Sequence, residues 1–503
     1  PYYFSLAPDR DLTITPHVFS EVLPMLEAEY RALTRTGAYR VQGFATVSRS
    51  QDDLLSTDTG TERRMRGYVD ALGRFQLDPY WSVAGSLRLS TDRTFLRRYD
   101  ISREDRLRNN VAVTRIGRDS YFAINGWAVQ TLRSDDDQGN QPIALPEIDW
   151  RRRWSDLGPG VLQVQLNSLA LSRTQGQDTQ RAFASARYDI RRVTTGGQEL
   201  VLTGYARADA YHAGNTLATA VGQYRGLEGF QSRAIGAVAA EMRWPLVGAL
   251  GGGTQRITPR FQVVAAPRIK NLGVPNEDAR AVDLDDSNLF ALNRFPGYDR
   301  FEDSTRFTYG ADYALSFPGL AVNATVGQSY RLSERPVILP DGTGLSDRWS
   351  DYVGRTEVRF RDLVSFVHRY RLDKNGLKVR RNEVDATFGT NASYLLLGYL
   401  RLDRDIDTVE DLRDREEARI GGRFAFARFW SVFGSATVDL TDLREDPLSA
   451  SDGFQPVRHR LGAAYEDDCL RLGVTWKRDY QDTGDAVRGN SFLLTLAFKN
   501  LGR

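Results

Sequence analysis

The sequence predicts an all-β fold: a large, closed, antiparallel transmembrane β-barrel with long external loops and short periplasmic turns. Three observations carry the prediction. Apolar and polar residues alternate with period two along most of the chain, which gives each strand two unlike faces. The alternating segments run about 9 to 11 residues, the length a tilted strand needs to cross a hydrocarbon core, where ordinary strands average about five or six. Tight turns alternate with long polar connections, the inequality expected between the two rims of an outer-membrane barrel.

Taken in order, the chain opens with two short segments, about Pro1 to Ala7 and about Leu12 to Ser20, joined by the turn Pro8-Asp9-Arg10. Leu26, Ala28, Tyr30 and Ala32 then alternate with Glu27, Glu29 and Arg31. Trp81, Val83, Gly85, Leu87 and Leu89 alternate with Ser82, Ala84, Ser86 and Arg88. Farther on, Phe307, Tyr309, Ala311, Tyr313 and Leu315 interleave Thr308, Gly310 and Asp312. Trp430, Val432, Gly434, Ala436, Val438 and Leu440 interleave Ser431, Ser435, Thr437 and Asp439, and Leu470, Leu472, Val474 and Trp476 face away from Arg471, Gly473, Thr475 and Lys477. The closing segment Asn490 to Lys499 sets Phe492, Leu494, Leu496 and Phe498 opposite Ser491, Thr495 and Lys499. Aromatics at segment ends (Tyr80, Trp81, Trp127, Trp244, Trp430, Trp476) suit interfacial girdles, because an amphipathic ring prefers the headgroup layer. A soluble sandwich or propeller alternates too; repetition at membrane-spanning length favours the barrel.

Tight connections include Thr195-Gly196-Gly197 and Asp373-Lys374-Asn375-Gly376, and Gly251-Gly252-Gly253 reads as a turn. The long ones, Gln51 to Arg66, Arg133 to Pro146, Lys270 to Ser304, Leu332 to Trp349 and Asp442 to Pro456, are rich in Asp, Gly and Pro. No composition shift marks a linker, so residues 1–503 read as one transmembrane barrel domain.

Composition removes several function classes. Lys plus Arg (67) nearly cancels Asp plus Glu (65), which excludes a dedicated nucleic-acid binder. Apolar residues at 41% and charged residues at 26% exclude a wholly disordered chain. No apolar stretch approaches the roughly 18 residues of a spanning helix. The single cysteine, Cys469, excludes a disulfide scaffold or a multi-cysteine zinc site within these residues, and the four histidines have no paired ligand spacing, so no metal or cofactor is expected. No G-x-S-x-G, Walker loop, H-E-x-x-H or helix-opening G-x-G-x-x-G is present, and the protein is not expected to be an enzyme; a triad assembled from distant strands is the residual enzymatic alternative. Of the 67 basic residues 62 are Arg. The run Arg151-Arg152-Arg153 between Trp150 and Trp154 reads as solvated or girdle-flanking rather than phosphate-binding. The acidic runs Asp135-Asp136-Asp137 and Asp283-Leu284-Asp285-Asp286 read as solvated loop charges, since neither has EF-hand spacing. A start at Pro1, with neither Met nor a leader, reads as a portion of a longer protein.

Residues Pro1-Tyr2-Tyr3-Phe4-Ser5-Leu6-Ala7-Pro8-Asp9-Arg10-Asp11-Leu12-Thr13-Ile14-Thr15-Pro16 resemble the opening of the barrel domain of the LptD family, lipopolysaccharide-assembly proteins of the Gram-negative outer membrane. Asn276-Glu277-Asp278, Asp285 to Phe290, Asn293-Arg294-Phe295, Gly297-Tyr298-Asp299-Arg300, Glu302-Asp303, Arg306 and Tyr309-Gly310 resemble the family's long mid-barrel loop and the strand after it. Asp467-Asp468-Cys469 before the segment Leu470 to Tyr480 is a third, looser likeness. The family's N-terminal periplasmic β-jellyroll is missing from these residues, and the adjacent cysteines of some members are here the single Cys469.

The resemblance implies about 26 strands, or about 19 residues per strand and connection, although that arithmetic also tolerates 22 or 24. It implies an outer-membrane translocon that inserts lipopolysaccharide into the outer leaflet, the sugar passing through the lumen and the lipid leaving by a lateral gate between the first and last strands. Pro1 and Pro16 align with prolines beside that gate, where a missing ladder donor weakens pairing; their plain reading is punctuation at strand ends. Phe492, Leu494, Leu496 and Phe498 would form the other gate wall. The implied partners are the plug lipoprotein LptE, the periplasmic lipopolysaccharide-transport bridge reached through the missing N-terminal domain, and lipopolysaccharide itself. Cys469 would pair with a cysteine of that N-terminal region. A porin or substrate-specific channel is the alternative, because a wet lumen and external loops fit it equally.

Overall fold

Alternation at this length builds one continuous wall. The computed structural model describes residues 1–19, 23–49, 63–133, 136–280, 282–332, 338–403, 414–444, 446, 449, 451–480 and 488–498. Its strands are β1 (Tyr2–Ala7), β2 (Arg10–His17), β3 (Met25–Leu33), β4 (Gly37–Arg49), β5 (Arg63–Gln76), β6 (Trp81–Ser90), β7 (Arg106–Ile116), β8 (Ser120–Thr131) and β9 (Ile143–Trp154). There follow β10 (Gly160–Ser172), β11 (Asp178–Val193), β12 (Glu199–Gly214), β13 (Gly229–Arg243), β14 (Leu246–Leu250), β15 (Gly253–Ala265), β16 (Arg306–Phe317), β17 (Leu320–Arg331) and β18 (Tyr352–Phe360). The wall ends with β19 (Val364–Leu372), β20 (Val379–Gly389), β21 (Tyr394–Leu402), β22 (Arg415–Phe426), β23 (Trp430–Asp439), β24 (Gln455–Glu466), β25 (Leu470–Asp479) and β26 (Gly489–Phe498). All 26 belong to one sheet, in agreement with the barrel the sequence predicts. Each pairs antiparallel with its neighbour, with one exception in order: β13 pairs with β15 rather than β14.

That exception has a simple cause. β13 and β14 lie end to end along β15 in one register, Arg243 opposite Arg260 and Leu246 opposite Ile257. Pro245 between them has no N–H for the ladder, while the Trp244 N–H still donates to the Pro259 carbonyl at 3.0 Å. Among the described residues the 26 segments therefore form 25 staves. With an odd number of alternating staves, β1 and β26 run in the same direction. No ladder joins these two edges among the described residues.

On one rim successive staves are joined by two to five residues, and on the other by five to 40. Three expectations need correction here. Asp373-Lys374-Asn375-Gly376 is tight but belongs to the long-loop rim, because it follows β19. Strands range from 5 to 16 residues rather than about 9 to 11, since β11 and β12 extend past any membrane thickness into the loop layer. The loops expected from Gln51, from Arg133 and from Asp442 end earlier, as Arg63 already begins β5, Ile143 begins β9 and Gln455 begins β24.

The burial pattern is inverted relative to a protein dissolved in water. On β12 Thr203, Arg207, Asp209 and Tyr211 are buried while Leu200 and Leu202 are exposed; on β13 Arg233 is buried while Phe230 and Val238 are exposed. Rows of exposed Leu, Ile, Val and Phe around the whole wall are what a lipid-facing surface requires. Apolar cores sit instead where loops fold over the wall. Phe95 and Leu96, in the single helical turn α1 (Phe95–Arg98) of the β6–β7 connection, pack with Met25, Phe44, Tyr68 and Leu107. Leu284, Leu289, Phe295, Leu345 and Val353 form a second core.

Candidate functional site

Two regions bring the predicted residues together: the 266–305 connection between β15 and β16, and the edges of β1 and β26. The connection springs from the loop rim and lies against the inner face of the wall. Asp299, 1% exposed, is its centre. Its carboxylate accepts from Arg181 Nη1 on β11 at 2.6 Å, from the Tyr211 hydroxyl on β12 at 3.0 Å, and from the backbone N–H groups of Glu277 and Asp278 at 2.7 and 3.1 Å. Asp278 answers reciprocally: its Oδ1 accepts the backbone N–H groups of Tyr298 and Asp299, both at 2.9 Å, and its Oδ2 accepts from Arg181 at 2.7 Å. This exchange ties the two ends of the connection together and both to the wall. Gly297 makes the approach possible. It has φ +68°, and a Cβ there would lie 2.4 Å from Asp278 Cγ, so no other residue fits without moving the clamp.

Tyr298 is gripped on all sides. Its carbonyl accepts from Arg207 Nη2 at 2.9 Å, its hydroxyl from Gln165 at 3.0 Å and Arg151 at 3.2 Å, and its ring lies 4.8 Å from Phe183 and 5.2 Å from the Arg181 guanidinium. Arg233 donates to Asp209 at 2.7 Å and to the Asp299 carbonyl at 2.8 Å. Arg207 also pairs with Asp209. Arg151 thus belongs to this clamp, a correction to the solvated or girdle-flanking role expected of the triple-arginine run; Arg152 does stack on Trp154, at 5.1 Å.

The remaining motif residues hold the loop's own shape. Asn293 donates to the Arg300 carbonyl at 3.0 Å and accepts from the Glu302 N–H at 3.0 Å. Arg300 reaches the carbonyls of Val274 (3.0 Å) and Gln223 (2.7 Å). Arg294 donates to Ser329 at 2.6 Å and lies 3.6 Å from Glu302, and Phe295 fills the second apolar core. Burial pushes Arg294 down to about 9 and Arg300 to about 10. Asp299 is held below the usual carboxylate range: burial acts against its charge, but Arg181 and the Glu277 N–H outweigh it. For Asp278 burial and the neighbouring Asp299 charge win, and its carboxyl is pushed up. The second acidic run is likewise engaged rather than solvated, as Asp283 pairs with Arg371 of β19 and lies 3.6 Å from Arg381. Asp135 of the first run lies outside the described residues.

Chemically this arrangement offers no free nucleophile or base. The central carboxylates are consumed by guanidinium groups, and the result is a rigid insert in the lumen. The wall partners Arg181, Arg207, Asp209, Tyr211 and Arg233 were not singled out by sequence reasoning. Their signal was charged residues recurring on one alternate face of the strands between residues 178 and 243.

The seam is the opposite kind of place. All of β1 but Ala7, and all of β26 but Ala497, is exposed. Phe492 is 77% exposed, and Leu494, Leu496 and Phe498 share its open face. Pro1 lies just before β1. The β1–β2 ladder stops at Tyr2 opposite Ile14, so Pro16 falls beyond it and pairs only with Leu26 of β3. Cys469 is exposed in the short turn between β24 and β25, on the rim opposite the long loops.

A family model described as LptD, LPS transport system D, matches residues 64–430, which include the whole loop clamp. The LPS-assembly protein LptD of Acinetobacter baylyi is 23% identical over all of this chain and 61% of its own length. That of Nitrosococcus oceani is 23% identical, over all of the chain and 65% of its own length, and that of Escherichia coli O1:K1 / APEC is 23% identical, over all of the chain and 66% of its own length. The chain therefore spans about two thirds or less of the relatives it matches. Among solved structures, the siderophore receptor PirA from Acinetobacter baumannii aligns over 98% of the chain and 80% of its own, with 6% identity and a TM-score of 0.40. With an all-antiparallel wall, an inward clamp built on the very residues of the loop motif, and a family match over most of its length, the chain belongs to the LptD family.

Proposed function

We propose that this protein is the outer-membrane translocon for lipopolysaccharide, the sugar head passing through the lumen and the acyl chains leaving sideways through a gate between the first and last strands. The observation that carries the reading is the unladdered, apolar seam in a barrel of this family. Lipopolysaccharide has a phosphorylated head that belongs in water and chains that belong in the bilayer, and only a wall that opens can discharge both. A porin needs no such seam. Residues 1–503 act as one barrel domain in this reading, and no catalytic role is assigned to them. Restoration of surface lipopolysaccharide in cells depleted of their own translocon tests it. A chain that conducts ions but restores no surface lipopolysaccharide would return the porin reading.

The gate residues are Pro1 and Pro16 on one side and Phe492, Leu494, Leu496 and Phe498 on the other. An amide donor restored beside the seam is worth about 0.5–1.5 kcal/mol. Pro16→Ala should therefore slow lipopolysaccharide delivery without lowering barrel abundance, as measured by the appearance of newly made lipopolysaccharide at the cell surface.

The partners follow from the same reading: a lipoprotein plug, LptE, in a lumen that the 266–305 insert only partly fills, and the periplasmic lipopolysaccharide bridge through an upstream domain. Cys469 on the short-turn rim faces the periplasm and is assigned a disulfide to that domain. Full-length protein should migrate differently on reducing and non-reducing gels, and Cys469→Ser should abolish the difference.

A further inference from the structure

The geometry points to an electrostatic latch across the seam, formed by the β6–β7 connection (residues 91–105). This connection is anchored firmly on the N-terminal side. Phe95 and Leu96 are fully buried against Met25, Phe44, Tyr68 and Leu107 of staves β3, β4, β5 and β7. Tyr99 extends the anchor by donating its hydroxyl to Ser48 Oγ at 2.9 Å. Immediately afterwards the chain turns at Asp100, whose φ of +53° is a left-handed conformation that a non-glycine residue adopts only at a cost.

From this anchor the connection reaches the C-terminal staves. The Asp100 carboxylate lies 2.7 Å from Lys477 Nζ on β25 and 3.8 Å from Arg458 on β24. Arg103 donates to Asp479 on β25 at 2.6 Å, and Asp479 in turn holds Arg458 at 2.8 Å and Lys477 at 3.1 Å. The residues joined are 376 positions apart in sequence. Between β7 and β24 the backbone ladder can be followed only the long way round the wall; this charged cluster connects the same two sides directly, past the edges that share no ladder. Arg458 opens β24 and Lys477 and Asp479 close β25, so the cluster sits on the loop rim.

The cluster has the properties of a catch rather than a rivet. Asp100 and Arg103 are half-exposed, so each pair is screened by water and easily exchanged, whereas the pairs around Asp299 are fully buried. The latch holds the seam edges together at rest and releases them without unfolding either stave. It rests on the gate reading above, and it adds which loop governs the gate.

The test uses full-length protein in cells depleted of their own translocon. Asp100→Cys with Lys477→Cys should form a disulfide, abolish delivery of lipopolysaccharide to the surface, and recover with reductant at unchanged barrel abundance. Ala314→Cys with Asn323→Cys, opposite each other within β16–β17 and away from the seam, should crosslink without that effect. Lys477→Asp should raise permeability to large antibiotics, and adding Asp100→Lys should reverse it. Failure of the Asp100–Lys477 cysteines to crosslink, or normal delivery by the crosslinked barrel, would overturn the latch and leave the translocon reading standing. Failure of the unmodified chain to restore surface lipopolysaccharide would remove that reading and the latch with it.

Discussion

Asp299→Ala should destabilise the folded barrel by about 3–5 kcal/mol, the range for stripping one partner from a buried ion pair. Four donors lose their acceptor at once: Arg181 and the Tyr211 hydroxyl, both buried, and two part-buried backbone N–H groups. Arg181 keeps Asp278, but Asp278 also carries the N–H groups of Tyr298 and Asp299 and cannot replace what is lost. Asp299→Asn keeps the shape and removes the charge, and should be intermediate. Urea midpoints of the barrel refolded in detergent give the size, and protease access to residues 266–305 shows whether the insert has left the wall. The same carboxylate sets a pH limit. Because its folded pKa lies below the unfolded value of about 3.9, its contribution is fully present above that value and is lost as pH falls through the lower folded one. Protection of the insert should therefore persist at mildly acidic pH and begin to weaken only below about 4.

How far this clamp could be read beforehand depended on residue type. The motif Gly297-Tyr298-Asp299-Arg300 was legible through its resemblance to the family's mid-barrel loop, and each residue has a geometric duty here. Its wall partners were not legible. Period-two alternation assigns Arg207 and Asp209 to the inner face, but says nothing about which loop descends onto that face, which is a contact between positions 91 residues apart for Arg207 and Tyr298. The number of strand segments, about 26, came from the family resemblance, since length alone tolerates 22 or 24, and the number of staves was not legible at all. Trp244 reads as a segment end in sequence, and only the shared register of β13 and β14 on β15 shows that the step through Pro245 is a break within one stave. Asp283 was misread as solvated because spacing tests for metal ligation ask only about neighbours in the chain, and its partners Arg371 and Arg381 come from β19 and β20.

The inverted wall predicts an asymmetry between adjacent positions on opposite faces. Ile420 of β22 is 50% exposed on the outer face, opposite Ala436 of β23, and Ser435 of β23 is exposed on the inner face, opposite Gly421. The two residues sit at nearly the same depth, so thickness and neighbouring turns are controlled. Ile420→Arg places a guanidinium in hydrocarbon, with a cost of about 2–4 kcal/mol near the midplane, falling toward 0–1 near an interface. Ser435→Arg places the same group in a wet lumen and should cost little. Ser431 would be a poor control, because only 4% of it is exposed and an inserted side chain would clash whatever its charge. Refolding the two variants into lipid vesicles and titrating with urea gives the difference directly. Equal cost on both faces would mean that the apolar rows do not meet lipid, and with them would go the membrane assignment of the wall. A large cost for Ile420→Arg alone also makes the seam intelligible: Phe492, Leu494, Leu496 and Phe498 continue that outer face to the edge of β26, so a chain leaving through the opening meets an apolar surface that leads without a step into the bilayer.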